Sequence, residues 1–542
     1  MTRAPTALVA VDAGAATIAV SLLGRPGERW RLVGSLAAPA GVAEAEVLEV
    51  LAARVRAVDP ALAEAIGLHA GELDGLPRLA SRSAPPRTLV AIGASRRSVA
   101  LLEGIAARTA WRVEGASTET HDPREMTELA LRADVSAVLL SAADPPGPDE
   151  RAALDDLAAL VAAAARRRPE LQVILGIAIR ARRAWVEGLG ADPPGDPERI
   201  VDAPAIGPRR HADEGLRSVL EGLLADPCDG RHGLRASAAS LADLIDRRVE
   251  ILEVGYDGGA RVVAAPGVAG DDPTSSGVST ARAALVPPDQ DDALVDQVLA
   301  WTTGSLDRHR MGDRLRDLRA APWTDATGEG ARLRLAAARA ALARLAAVTP
   351  DLGGLPAPDL TIVAGGCFAA APPAAVALAV ADTIRRTGAT QVATDPARLL
   401  GPIGTIEDPA ERRALLSDVA GDLLVPLGSM ILAAGLAARH DASNVGRLTL
   451  VQDGSTTRHE LSAGELAFLD LAPGAAATAT LDVRDASRIG RRTRHASVAV
   501  TGGIAGLLVD LRDVPLRLPD RRDRRRAALA AWSALAWPAD DR

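Results

Sequence analysis

Near its N-terminus the chain passes from an apolar strand through an acidic residue and a glycine turn into a second apolar strand: Val11-Asp12-Ala13-Gly14-Ala15-Ala16-Thr17-Ile18-Ala19-Val20. The pattern returns as Leu252-Glu253-Val254-Gly255-Tyr256-Asp257-Gly258-Gly259-Ala260-Arg261-Val262, and a third strand, Ile362-Val363-Ala364, ends in Gly365-Gly366-Cys367. An acidic side chain at the mouth of a hairpin can hold a hydrated Mg²⁺, and a glycine there lets backbone N–H groups approach a phosphate. Two acidic hairpins followed by a Gly-Gly turn therefore point to two related α/β units that share one ligand. On that reading Asp12 is the metal-bridging carboxylate and, with Glu253, a candidate catalytic residue. Gly14, Thr17, Gly255, Gly365 and Gly366 are the candidates for holding a nucleotide.

Plainer roles exist for each. Asp12 fits a turn cap between two strands, and Gly365-Gly366 fits a strand-to-helix turn ahead of Pro372 and Pro373. Glu253 reaches further than a short hairpin requires. Asp257-Gly258 reads as a tight hairpin turn, Asp395 as a helix cap and Cys367 as a small buried filler.

At 542 residues the chain is too long for one hydrophobic core, so two to four domains are expected. Its net charge of −8 argues against a general nucleic-acid binder, which needs a basic face. No apolar run reaches the roughly 18 residues that cross a bilayer, and Met1 is not followed by a secretory core, so the expectation is a cytoplasmic protein without a membrane partner. Two cysteines, Cys228 and Cys367, build neither a disulfide framework nor a cysteine-rich zinc site. The histidines show no HxxxH or HExxH spacing, and there is no Gly-x-Ser-x-Gly elbow. All 62 basic residues are arginine. Without lysine there is no GxxxxGK[ST] loop and no Schiff-base chemistry, so a nucleotide would have to meet backbone N–H groups, metal and arginine. GC-rich codon bias accounts for the composition itself.

Along the chain, strands Ala7–Asp12, Thr17–Leu23 and Trp30–Leu36 precede an alanine-rich helix. From Thr88 strands alternate with amphipathic helices, the mark of a parallel or mixed sheet covered on both faces. A second unit begins near Arg235 with a helix, the Glu253 hairpin, a loop at Gly267–Gly277 and several helices. A last helix, about Pro409–Arg439, is expected to break at Pro426. After Asn444 short strands separated by Gly, Asp and Ser turns predict a small all-β domain, and Asp520–Trp537 an arginine-rich helix with a solvated face.

The C-terminal third carries a family resemblance. Leu424-Val425-Pro426-Leu427-Gly428-Ser429, then Gly502-Gly503-Ile504-Ala505-Gly506-Leu507-Leu508-Val509-Asp510-Leu511-Arg512 continuing to Val514-Pro515-Leu516-Arg517-Leu518-Pro519, resemble the ending of the glutamate mutase L proteins (unrelated to the mismatch-repair MutL). Val11–Val20 and Ala364–Ala371 resemble that family's opening and its Gly-Gly turn. The resemblance implies an actin-like ATPase fold, with duplicated ribonuclease-H-like lobes at 1–234 and 235–440, a C-terminal β-domain at 441–519 and a terminal helix at 520–542. It implies ATP and Mg²⁺ as cofactors and a protein partner, an adenosylcobalamin-dependent mutase that the protein would chaperone or reactivate. The sequence departs from the family at Ala15, Ala16 and Ala19, at Glu253 where Asp is usual, at Tyr256, and at Ser141-Ala142-Ala143-Asp144-Pro145-Pro146-Gly147. Each hydrogen bond lost to a charged phosphate costs about 1.5–3 kcal/mol. A degenerate, non-catalytic interaction protein on the same fold is therefore the alternative expectation. A small-molecule kinase on this fold would lack an identifiable base.

Overall fold

The computed structural model describes residues 5–537 except 70, 72, 142–147, 177–199, 205–209, 225, 227, 268–272, 289–290, 325, 350–356 and 437–443. The departure from the family at 142–147 lies outside the described residues. Two compact units result. The first comprises Met1–Ala84, Pro227–Gly277 and Ala283–Arg542; the second comprises Pro85–Asp226 with Val278–Arg282.

In the first unit, β1 (Ala7–Ala13), β2 (Thr17–Gly24), β3 (Arg31–Pro39) and β4 (Arg78–Arg82) form a sheet of order β3-β2-β1-β4. The β1–β2 and β2–β3 pairs are antiparallel, and β4 runs parallel to β1 on its other side. Helix Glu44–Val58 buries Val47, Leu48, Leu51, Ala52 and Val55, a stripe at helical spacing, in the cluster that holds Val9, Val11, Val20 and Leu22.

The second unit is the parallel sheet that the strand–helix alternation predicts. Its strands β5 (Thr88–Gly93), β6 (Arg112–Ser117), β7 (Val135–Ser141), β8 (Gln172–Gly176) and β9 (Ile200–Asp202) are ordered β6-β5-β7-β8-β9. Successive residues feed opposite faces: Val90, Ile92, Val138 and Leu140 pack in one cluster, Leu89, Ala91, Ala137 and Leu139 in another.

The chain continues with β10 (Val249–Val254), β11 (Gly259–Ala265), β12 (Thr274–Thr280, of which Thr274–Gly277 count with the first unit), β13 (Leu360–Ala364), β14 (Gly388–Thr394) and β15 (Val425–Leu432). Next come β16 (Asn444–Gln452), β17 (Ser455–Ser462), β18 (Leu466–Leu469), β19 (Ala476–Ile489), β20 (Arg491–Thr501) and β21 (Leu507–Asp510). An eight-stranded sheet has the order β12-β11-β10-β13-β14-β15-β21-β18. Here β10 and β11 are antiparallel, while β13 runs parallel to β10 and β14 parallel to β13. The run β12-β11-β10-β13 thus repeats β3-β2-β1-β4, a hairpin strand pair with a parallel strand on the far side of the first strand. This repeated order is the duplicated ribonuclease-H-like architecture of an actin-like α/β fold.

A C-terminal all-β region follows, as a sheet of order β17-β16-β19-β20. Two of its strands leave it: β21 joins β15 in parallel, and β18 pairs with β21. The reason is burial. All four residues of β21 are buried, which only an interior place in the larger sheet satisfies. Two local expectations are corrected. The helix from Pro409 ends at Leu423, and Val425–Leu432 is strand β15, with Pro426 at the register shift opposite Val392 and Ala393, where a missing N–H is tolerated. Part of the expected loop at Gly267–Gly277 belongs to β12, whose Thr and Ser residues suit an edge strand. The terminal helix Arg522–Ala536 buries Leu529 and Ala536, and Trp537 beyond it packs in the largest core cluster. Among the described residues, no helix is long and apolar enough to cross a membrane.

Candidate functional site

Asp12 and Glu253 hold equivalent places in the repeated order. Each is the last residue but one of the first strand of its sheet, and each lies beside the parallel strand: Asp12 opposite Ser81, Glu253 opposite Ala364. The turns behind them close on themselves. The Gly14 N–H donates to the Thr17 carbonyl at 3.0 Å, and the Gly255 N–H to the Gly258 carbonyl at 2.8 Å. Those two amides are thus spent inside their hairpins, and a phosphate would have to be met by other donors.

Both carboxyls line one cleft within the first unit. Its walls also include Ser83, Gly230, Arg231, Gly365, Asp395, Arg398 and Gly401, and it encloses about 450 Å³ counting space open to solvent. Gly365 is at φ +113°, and a Cβ there would stand 2.2 Å from the Val254 carbonyl oxygen. Its glycine therefore serves the close approach of β13 to β10. Gly366 follows in a short 3-10 turn with Cys367 and Phe368. The Cys367 thiol contacts the Val254 carbonyl, and burial pushes its pKa far above the usual range, so it is not a nucleophile.

Three charged residues in the cleft, Asp395, Arg398 and Arg231, were not among those singled out for chemistry. The Asp395 carboxylate accepts from the amides of Leu399 (3.1 Å) and Leu400 (2.9 Å), the cap expected of it, while also facing the cleft. The turn that it shapes puts Arg398 at φ +54°, a left-handed conformation rare for such a residue. From there the Arg398 Nη1 donates to Thr17 Oγ1 at 2.9 Å and lies 3.5 Å from Asp12 Oδ2. The same nitrogen is 3.7 and 3.9 Å from where a Cβ would stand on Gly14 and Gly366. Arg398 thus links four of the sequence-predicted residues. The signal for it was the lysine-free composition, which leaves arginine as the cation of any anion site. Arg231, also lining the cleft, pairs with Asp229, the cap of helix Gly230–Ile245.

Electrostatics in the cleft favour protonated carboxyls. Burial and the nearby Asp12 push Glu253 up to about 8, with Arg231 and Arg398 pulling the other way. Burial raises Asp395 to about 6 against the amides that it caps. Asp12 is raised by burial too, partly offset by Arg398 and by the Ser81 hydroxyl, which donates to Asp12 Oδ1 at 2.9 Å. At neutral pH Glu253 therefore keeps its proton, while Asp12 lies 3.5 Å from the Arg398 guanidinium. Among the described residues, no three His, Cys, Asp or Glu side chains gather as a metal-binding group.

No family model matches the chain, and no curated protein matches it. Solved structures similar to it include a PilM–PilN type IV pilus biogenesis complex, at 13% identity over 75% of this chain and 97% of that one, with a TM-score of 0.22. A ROK family glucokinase from Streptomyces griseus, in complex with glucose and AMPPNP, is 12% identical over 73% and 97%, with a TM-score of 0.24. An ATP-dependent caprolactamase from Pseudomonas jessenii is 12% identical over 84% and 81%, with a TM-score of 0.25. At such scores these likenesses carry no argument, and the fold rests on the repeated strand order.

Proposed function

We propose that this protein binds ATP in the Asp12–Glu253 cleft and passes the occupancy of that cleft to a protein partner, with little or no hydrolysis. The observation that carries the reading is the convergence of both acidic hairpins, the Gly365-Gly366 turn and two arginines on one cleft of an actin-like fold. Arg398 and Arg231 on its walls supply charge for phosphate oxygens. ATP there would supply binding energy that differs between open and closed states of the cleft.

The same geometry argues against efficient turnover. Activating a water requires a carboxylate free to accept a proton. Glu253 already holds one near neutral pH, and Asp12 is committed to Ser81 and Arg398. This favours the non-catalytic reading over an active ATPase. An adenosylcobalamin-dependent mutase is the partner that the glutamate mutase L resemblance supplies, and the D-x-R ending of that resemblance is present as Asp510-Leu511-Arg512.

Isothermal titration of the full chain with ATP tests the nucleotide. Saturable heat with negligible phosphate release is the expected result; no heat at millimolar ATP overturns it and leaves the fold standing. For the partner, mutase subunits added with and without ATP should co-elute in a nucleotide-dependent manner. Co-elution indifferent to ATP would reduce the cleft to a structural remnant.

A further inference from the structure

An acidic hairpin of this kind calls for a divalent metal beside its carboxylate, and Asp12 does not fit one. Its Oδ1 accepts the Ser81 hydroxyl at 2.9 Å, and its Oδ2 faces the Arg398 Nη1 at 3.5 Å. A hydrated Mg²⁺ needs open oxygen ligands and several water positions. Here that space is taken by a guanidinium, which would also repel a dication at such short range.

The position of Arg398 is specified by the fold. The Asp395 carboxylate caps the amides of Leu399 and Leu400, and the Arg398 N–H donates to the Asp395 carbonyl at 3.3 Å. That tight turn holds Arg398 in the left-handed region, a conformation retained only where its surroundings dictate it. The side chain then spans from the turn after β14 to the β1–β2 hairpin. Both of its contacts there use Nη1, which leaves the remaining N–H groups of the planar fork to meet an anion bidentately. A guanidinium stays charged at any working pH, so this cation is permanent.

We infer that the Arg398 guanidinium is the resident cation of the cleft, standing where a divalent metal would sit beside Asp12, and that a polyphosphate is bound there without Mg²⁺. The inference rests on the nucleotide reading above and goes further, since it names what neutralises the phosphate charge. It also accounts for Thr17: the one hydroxyl kept in the first turn orients Arg398.

The test is calorimetric titration of the full chain with ATP, once in EDTA and once in excess Mg²⁺, with Arg398→Ala and Arg398→Gln in parallel. A thermal melt of each variant checks folding, and Arg398→Gln keeps much of the packing if the alanine variant does not fold. The wild type is expected to bind in EDTA and more weakly in excess Mg²⁺, which sequesters the free polyphosphate, and removal of the guanidinium to weaken binding in EDTA by about tenfold or more, as loss of a charge-assisted contact does. Part of that loss should return in Mg²⁺, because Asp12 Oδ2 is then open. Binding by the wild type only in Mg²⁺ overturns the inference and leaves the nucleotide reading intact. Equal affinity of folded Arg398 variants and wild type in EDTA overturns it as well. Absence of heat for wild type in either buffer removes the nucleotide reading, and the inference falls with it.

Discussion

Glu253 is the residue whose protonation has the widest consequence. Its native pKa of about 8 lies above the 4.5 of an ordinary carboxyl, because it is buried near Asp12 and Asp229 with only Arg231 and Arg398 to compensate. Between those two values the native state holds a proton that the unfolded chain has released. Stability therefore falls as pH rises through this window and levels off above it. Glu253→Gln keeps the neutral shape, so it should raise the melting temperature at pH 8.5 and leave it unchanged near pH 4.5. The gain should be roughly 1–3 kcal/mol, below the full 1.36 kcal/mol per unit because the side chain is partly open to the cleft. Equal gains at both pH values would show that the carboxyl is not strained by its site. Gly365 provides a second test: its φ of +113° and the Val254 oxygen at 2.2 Å leave no room for a methyl group, so Gly365→Ala should cost several kcal/mol in urea titration. These residues were legible in the sequence because strand, acid and glycine are adjacent in it. Arg398 was not, because its meaning depends on a turn after β14 meeting a hairpin near the N-terminus, an encounter that no local pattern records.

At the scale of elements, the ending that carries the family resemblance turns out to be architecture. Asp510, fully buried at the end of β21, is held by Arg385 at 2.7 Å and Arg512 at 2.8 Å. Burial alone would push its carboxyl up, yet the two arginines hold it below the ordinary range. Arg512 also reaches Asp382 at 2.9 Å, which pairs with Arg339, and stacks under the Trp532 ring of the terminal helix at 4.4 Å. One ionic cluster thereby ties β21, helix Pro373–Thr383, helix Gly328–Val348 and the C-terminal helix together. Gly503 belongs to the same construction: a Cβ there would lie 2.3 Å from the Gly428 nitrogen of β15. Asp510→Asn should leave two buried guanidinium groups undercompensated and cost about 3–5 kcal/mol, read as a lowered urea midpoint with unchanged slope. A change below 1 kcal/mol would mean that water enters the cluster. Most strands and helices were readable from period and punctuation. One exception is instructive: Val425–Leu432 follows a helix and is apolar but for Ser429, and a mostly apolar run of that length does not distinguish strand from buried helix. Only its pairing with β14 and β21 decides.

Across the whole molecule, the strand–helix alternation from Thr88 follows a Pro- and Gly-rich stretch, and on sequence alone it counts with the first lobe, 1–234. The structure gives Pro85–Asp226 its own sheet and its own clusters on both faces, with Val90, Leu140 and Leu157 in one and Trp111, Leu139 and Leu220 in the other. Local periodicity cannot show where one core stops and another starts, since each strand looks alike from inside. Two units with separate cores should not unfold as one. Calorimetry of the full chain should resolve at least two transitions. Every residue lining the Asp12–Glu253 cleft belongs to the first unit, so ATP should raise that unit's transition alone. At a free concentration of 100 times Kd the stabilisation would be about 2.7 kcal/mol, a displacement readily seen at this size. The transition of Pro85–Asp226 should stay put. Were ATP to move that transition and not the other, the nucleotide would belong to the parallel sheet, and the paired acidic hairpins would be a fold relic.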